Sequence, residues 1–411
     1  MADASPPAPR ILSLDLLRGL DVLLMLFVNE VAGVRDAPAF LLHVPPEADG
    51  MTVTDVVFPA FLFIVGLSIP FGLGGRLERG EAPRVVWRHV LTRTFALLAV
   101  GVLMVNAERA APGGPLPPPV WNMLMTAAVV LVWSAPAGEA AARRRRIRRA
   151  VGIGLLLLLA LAYRGTDVAG LVQIRPHWWG ILGLIGWAYL LAAGLYLLAG
   201  PRPAVFTGAM ALLYCLYLAD RVGEAPWLVA LRPFLSIGSV LGSHGAVVVA
   251  GVVLGLMVRR AAREGTPPRA LAGRALGYAA SLAAAAVLLH AAHGLHPGFR
   301  YAKSMATPPW CLLSSAWTAA AWAAVYWVAD ARGFRRWPSV VGMAGENALV
   351  AYLMAPFFLS AFAASAPLLG ANVYESLASP TAVGLVRSAV FAWLVVLFCG
   401  LLRRRGLRMQ L

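Results

Sequence analysis

Lysine is all but missing from this 411-residue chain. Lys and Arg total 35, and Lys303 is the single lysine, which leaves 34 arginines. The chain uses a guanidinium wherever a generic cation serves. The one ammonium therefore marks a place where a compact charge, or one that can lose its proton, is needed, and it is assigned to the outer mouth of a substrate site near His43. Cysteine is scarce too. Cys215, Cys311 and Cys399 each lie in or beside an apolar run with no Cys-x-x-Cys spacing, which argues against a disulfide framework and for small buried hydrophobes. Residues Met1 to Pro9 lack the charged, apolar, then small-residue layout of a signal peptide, so the first apolar segment reads as a retained helix. No contiguous basic face with interleaved aromatics is present, so the formal charge of +16 does not indicate nucleic acid. No repeat of fixed period stands out; a weak inverted repeat of the transporter kind stays open.

What is abundant is apolar sequence. Hydrophobic residues make up 60% of the chain and its mean hydropathy is +0.74, far above the soluble norm of roughly 45–50% apolar. Long apolar runs separated by Arg clusters read as an all-α, polytopic transmembrane bundle forming one domain over residues 1–411. A β-barrel would show short alternating segments instead. A spanning helix needs about 20 apolar residues. Segments fall near 14–32, 53–73, 94–107, 120–136, 150–163, 177–199, 204–219, 235–258, 273–293, 310–329, 340–362 and 384–402, with the third and fifth short, hence about 10–12 membrane helices. Arginine falls in the alternate connections 74–93, 137–149, 200–203, 259–272, 330–339 and the tail after 402. By the positive-inside rule these connections and both termini are cytoplasmic, and 33–52, 108–119, 164–176, 220–234, 294–309 and 363–383 face outward.

The first apolar segment is unusual in its charges. It opens Arg10-Ile-Leu-Ser-Leu-Asp15-Leu-Leu-Arg18-Gly19 and closes Val28-Asn29-Glu30. On a helix Arg18 and Asn29 fall within about 20° of one another, about 16 Å apart along the axis, with Asp15 on the same side. Such a face must look into the bundle or a wet cavity, because lipid cannot satisfy it. Asp15 and Arg18 also suit an i,i+3 ion pair at the inner mouth. Beyond a short polar loop with His43, the second segment begins Thr54-Asp55 and carries Pro59, expected to bend or open the helix. Asp55 beside His43 would fix the imidazole tautomer and raise its basicity, as general-base catalysis requires. Other histidines read more plainly: His89 as solvated in a basic loop, His177 beside an interfacial Trp178-Trp179 pair, and His244 without an acid close in sequence. His290, His293 and His296 are spaced by three but have no carboxylate nearby in sequence, so no metal is expected.

Taken in order, SLDLLRG, LFVNE, His43 and GMTVTDVVFPAFLFIVG resemble the heparan-alpha-glucosaminide N-acetyltransferase family and its bacterial relatives. Lys303, Thr307-Pro-Pro-Trp310, Tyr326-Trp-Val-Ala-Asp330 and Gly342-Met-Ala-Gly345-Glu-Asn347 look like the family's C-terminal half, and Trp178 to Tyr189 like a bacterial branch of it. Ala48-Asp49-Gly50 stands where the family often has Trp-Asn-Gly, and the central Gln-Arg is replaced by Leu184-Ile185-Gly186-Trp187.

The resemblance implies a multi-pass acyltransferase of the bacterial inner membrane, moving an acyl group, acetyl first, from cytoplasmic acyl-CoA to an amine or hydroxyl of an extracytoplasmic sugar or glycan. It places the catalytic roles on His43, Asn29 and Asp55, and extends substrate contact to Lys303, Asp15, Trp310 and Asn347. Acetyl-CoA carries phosphates, so Arg18, Arg76 and Arg259 are its expected grips. Direct transfer and an acyl-histidine relay stay open, as does assembly as a homodimer in the lipid. The competing reading is a transporter or flippase for an envelope sugar or lipid intermediate, which would hold acidic groups mid-helix; Asp21 and Glu346 are its candidates.

Overall fold

The computed structural model describes residues 11–135, 141–166, 173–223, 225–337, 339–404 and 408–409. The stretch Met1 to Pro9 and most of the tail after 402 lie outside the described residues. Among the described residues nine helices are long and apolar enough to cross a membrane: α2 (Val53–Glu78), α3 (Pro83–Glu108), α6 (Ile181–Ala199), α7 (Pro203–Val222), α9 (Gly245–Glu264) with the turn before it, α10 (Pro268–His290), α11 (Pro308–Tyr326) with the turn after it, α13 (Ala348–Leu369) and α15 (Thr381–Arg404). Helix α1 (Leu12–Val31) is long enough but is interrupted by Asp15, Arg18, Asp21 and Glu30. Helix α4 (Pro118–Trp133) is apolar and shorter, and α5 (Ala141–Ala162) starts on its arginine run. Short helices α8 (Pro226–Leu231), α12 (Ser339–Glu346) and α14 (Val373–Ser376) complete the order. The chain is a multi-pass membrane protein.

Several boundaries differ from the sequence reading, and three of them bear on the site. Helix α3 begins at Pro83 rather than 94, so Arg84, Arg88, His89 and Arg93 ride on a helix and not in a loop. Arg side chains extend helices past the apolar stretch because their stems lie along apolar surface while their heads reach water. The 340–362 segment is two helices, broken at Asn347, whose φ −128° and ψ 31° are not helical. Helix α6 begins at Ile181, leaving His177, Trp178 and Trp179 in a non-helical approach. Its start is set by packing, since a Cβ at Gly101 of α3 would collide with the Gly183 backbone. Pro59 and Pro70 both sit inside α2, which runs on through them without a break.

In lipid, helices associate through close packing of small residues and interhelical polar contacts. The centre of this bundle follows that rule. Helix α9 is the most buried of the nine and lies against α2, where a Cβ on Gly66 would strike the Val248 carbonyl and one on Gly251 the Phe63 carbonyl. Helix α1 is held against α12 in the same way, through Gly19 at Val341 and Gly345 at Asp15.

Helix α1 is also pinned at both ends. The Leu12 and Ser13 amides donate to Asp330 Oδ1 and Oδ2 at 3.0 and 2.9 Å, so an acid from the end of α11 caps the positive helix terminus. At the other end the Tyr374 hydroxyl donates to Glu30 Oε2 at 2.5 Å, and Arg387 donates to the Glu30 carbonyl while its guanidinium lies 4.3 Å over the Tyr374 ring. The polar face of α1 is thereby fixed in rotation, which positions the site.

Candidate active site

The chemistry starts where α2 begins. Asp55, in the first turn of α2, is 1% exposed. Its Oδ2 accepts the Thr52 and Val44 amides at 3.0 and 3.2 Å, and its Oδ1 lies 2.7 Å from His43 Nδ1. A carboxylate so supplied with donors only accepts, so Nδ1 carries the ring proton and Nε2 the lone pair. Lys303 Nζ stands 3.0 Å from that Nε2 and 3.1 Å from Nδ1, so it lies against the ring as a whole and leaves the Nε2 lone-pair direction clear. The side chain of His43 is 46% exposed, so it is anchored at one nitrogen and open at the other. Burial pushes the Lys303 ammonium below the usual lysine range, against the pull of Asp55.

Two loops make this contact, and they are tied together. Asp49 Oδ1 accepts the Tyr301 amide at 2.8 Å, Gly50 N donates to the Tyr301 carbonyl at 3.0 Å, and His290 Nε2 meets Asp49 Oδ2 at 2.9 Å. The His290 ring stacks on Tyr301 with centroids 4.2 Å apart. Burial raises the Asp49 carboxyl, but His290 and the Tyr301 amide outweigh it and hold the group below the usual carboxylate range. His290 thus has a carboxylate partner that its sequence neighbours did not reveal.

Three cavities converge on the N-terminus of α6. A chamber of about 370 Å³ is lined by Asn29, His43, Glu108, Trp179, Ile181, Leu182 and Tyr352. Within the described residues the Asn29 amide and the Glu108 carboxylate make no hydrogen bond to protein, and both line the chamber. Toward the arginine-rich end of the bundle lies a cavity of about 990 Å³ whose wall holds Arg18, Arg76, Arg93, Arg403 and His89 against Asp15 and Glu346. The two cavities share Ile181, Leu182 and Tyr352. At the opposite end a third cavity, of about 450 Å³, is lined by Trp178, Trp179, Phe234, His244, Lys303 and Trp310 among others, and shares Trp179 and Ile181 with the chamber.

The sequence-derived residues sort cleanly among these cavities. Asn29 and His43 meet in the chamber, with Asp55 behind His43. Lys303 and Trp310 line the outer cavity, and the Trp310 indole donates to the Asp55 carbonyl at 3.2 Å. Asp15 and Asn347 line the arginine-rich cavity beside Arg18 and Arg76, not the His43 chamber. Arg18 pairs with Asp15 at 3.5 Å and donates to Ser68 Oγ at 3.1 Å, and Arg76 pairs with Glu81 at 2.8 Å. Arg259 is brought to neither cavity. It is buried, donates to the Pro70 carbonyl at 2.6 Å and to the Tyr196 hydroxyl at 3.0 Å, and pairs with Glu78. Its role is to fasten α9 to α2. His89 lies half-buried in the arginine-rich wall instead of in a solvated loop.

Sequence reasoning missed Arg93, Glu108, Tyr189 and Tyr352. Arg93 had a legible signal, since it lies four residues beyond His89 on what proved to be a helix, so the two share a face and line one cavity. Its guanidinium sits 4.9 Å over the Tyr189 ring, and its Nε is buried without a partner. Arg93 lines the arginine-rich cavity, where a guanidinium fork suits phosphate oxygens.

This is a membrane bundle with polar cavities at both ends and an Asp–His pair at one of them. Comparison with known proteins gives the relationship. A family model described as a domain of unknown function, DUF5009, matches residues 10–169. The human heparan-alpha-glucosaminide N-acetyltransferase is 34% identical over 108 residues, which is 26% of this chain and 15% of that protein. The mouse protein of the same name is 35% identical over 109 residues, 26% of this chain and 16% of its own length. The chain is related to the heparan-alpha-glucosaminide N-acetyltransferase family, and the matched stretch spans less than a fifth of those curated relatives.

Proposed function

We propose that this chain is a transmembrane acyltransferase that passes an acyl group, acetyl in the first instance, from acyl-CoA held in the arginine-rich cavity to a sugar amine or hydroxyl at the opposite face. The observation that carries the reading is the shared wall of Ile181, Leu182 and Tyr352. Through it a cavity chemically suited to a polyphosphate donor adjoins a chamber holding His43 and Asn29. The positive-inside rule puts the donor cavity on the cytoplasmic side, where acyl-CoA is made available. The names of the relatives point to a glucosamine amine as the acceptor to try first.

In this reading the donor's phosphates sit among Arg18, Arg76 and Arg93, and the thioester reaches past Tyr352. His43 Nε2 takes the proton of the acceptor nucleophile as it attacks the thioester carbonyl. The Asn29 amide donates to the oxygen on which charge develops. The C–S bond then breaks, and the CoA sulfur leaves as thiolate and is reprotonated. Asp55 keeps Nδ1 as the donor side throughout and stabilises the imidazolium. Lys303 Nζ, about equally close to both nitrogens of the His43 ring, lines the outer cavity and so belongs to the acceptor's side of the reaction.

The test is turnover in sealed proteoliposomes, with acetyl-labelled acetyl-CoA on one face and glucosamine on the other. Labelled N-acetylated sugar and free CoA thiol are expected. Absence of any thioester turnover with amino-sugar or hydroxyl acceptors would overturn the reading. A second measurement addresses the donor cavity. Arg93→Gln removes a charge-assisted contact of about 1.5–3 kcal/mol, so the KM for acetyl-CoA should rise by roughly tenfold or more while kcat stays close to wild type. An unchanged KM would move the donor elsewhere.

A further inference from the structure

The turn that leads into α9 holds a histidine for which the acyl-transfer scheme has no use. Residues Gly238–His244 form a π-helical turn, a feature that costs hydrogen-bond geometry and recurs at functional sites. The turn is locked from outside. The Gly238 amide donates to Asp220 Oδ2 at 3.0 Å, and a Cβ at Gly242 would strike the Leu213 carbonyl of α7. At its end His244 is 7% exposed, with ring centroids 5.7 Å from Phe58 and 6.2 Å from Trp310. Its Nδ1 lies 2.7 Å from the Ser239 carbonyl. A carbonyl oxygen only accepts, so Nδ1 is the protonated nitrogen and the neutral ring carries its lone pair on Nε2. Nε2 has no partner among the described residues, and the ring lines the outer cavity.

A purely structural histidine here is hard to justify. Nε2 opens on the cavity, where a phenylalanine in the same slot would present no acceptor, and a ligand that filled the space without a donor would leave it unpaired at a cost of about 1–3 kcal/mol. The cavity's other lining agrees with a ligand. Trp178 and Phe234 meet edge to face at 6.0 Å and with Trp179 offer flat apolar walls. Lys303, in the same wall, reaches His43 Nε2 at 3.0 Å. A molecule filling this space lies between His244 and the ammonium that guards His43.

We propose that the outer cavity is the acceptor's binding site and that His244 reads the acceptor, its Nε2 accepting a hydrogen bond from a hydroxyl or ammonium group of a sugar stacked on the tryptophan wall. The inference rests on the acyltransferase reading for the word acceptor, but the sugar site itself does not. His244 binds and orients; the bond-making step stays at His43. Such a site favours ligands that donate at that position, because a ligand with no donor leaves a buried acceptor unpaired.

Binding is measurable without turnover, because Trp178, Trp179 and Trp310 line the cavity and report on it by fluorescence. The full chain in lipid nanodiscs is titrated with glucosamine. Saturable quenching is expected for wild type. His244→Asn places an amide where Nδ1 was, keeps the donor to Ser239 and lacks any group at Nε2. It should weaken binding at least tenfold. His244→Gln, whose amide reaches the Nε2 position, should bind within about threefold of wild type. Absence of saturable quenching in wild type, or equal affinity of the Asn variant and wild type, overturns the proposal. The two readings fail separately. Without thioester turnover the acyltransferase falls while His244-dependent sugar binding stands. With turnover intact and the acceptor KM of His244→Asn unchanged, this inference falls and the acyltransferase stands.

Discussion

In the proposed acyl transfer, His43→Ala is expected to lower the rate by about 10²- to 10⁴-fold, the usual contribution of a positioned acid–base group. The size follows from the geometry. One nitrogen of the ring is spent on a carboxylate that is itself fed by two backbone amides, and the other is left open beside the chamber. Among the described residues no second imidazole lines that chamber. The folded chain should be unaffected, because the His43 side chain is half exposed. The affinity for acetyl-CoA should also hold, because the arginine-rich cavity does not include His43. Rates of labelled product formation at saturating donor measure the effect, with donor KM as the control. A variant within threefold of wild type would remove His43 from the reaction. The same preparation separates direct transfer from a relay: denaturing wild type during turnover traps label on protein only if an acyl-histidine forms, and His43→Ala must then lose that label.

Gly251→Leu is expected to leave little folded protein. The α2–α9 contact is the middle of the bundle, and it exists because glycines let two backbones touch. A Cβ on Gly251 meets the Phe63 carbonyl and the Leu67 amide, neither of which can move without shifting α2. Overpacking a tight core costs about 1–3 kcal/mol when side chains alone must yield, and occasionally more; here it is backbone that blocks the new atom. Moving α2 also drags Asp55, so residual protein should lose activity as well. The comparison is Gly277→Leu on α10, where an added Cβ meets nothing within 4 Å. Monodispersity in detergent and the thermal midpoint are the readouts. Equal midpoints for the two variants would contradict the described packing.

Much of this architecture was legible in residue order, and for identifiable reasons. Apolar run length marks spanning helices because the bilayer fixes it. The polar stripe of α1 was readable because 3.6 residues per turn puts Arg18 and Asn29 on one side. The pairing of His43 with Asp55 was readable because only a short loop separates them. What failed was anything decided by distant chain. Arg259 looked like any loop guanidinium until Glu78, the Pro70 carbonyl and Tyr196 closed on it. His89 was misplaced because the helix outran the hydrophobic stretch. His244 was passed over because its partner is a backbone carbonyl, which no side-chain pattern advertises. Glu108 and Tyr352 come to the chamber from helices far apart in the chain, and spacing carries no trace of that.

The wall between the donor cavity and the chamber has a consequence of its own. It consists of Ile181, Leu182 and Tyr352, two aliphatic side chains and one ring. None of the three carries a charge, so a hydrated ion gains no ionic partner where the two cavities adjoin. In the acyl-transfer reading, that junction would let a thioester end meet its acceptor while the membrane stays closed to ions.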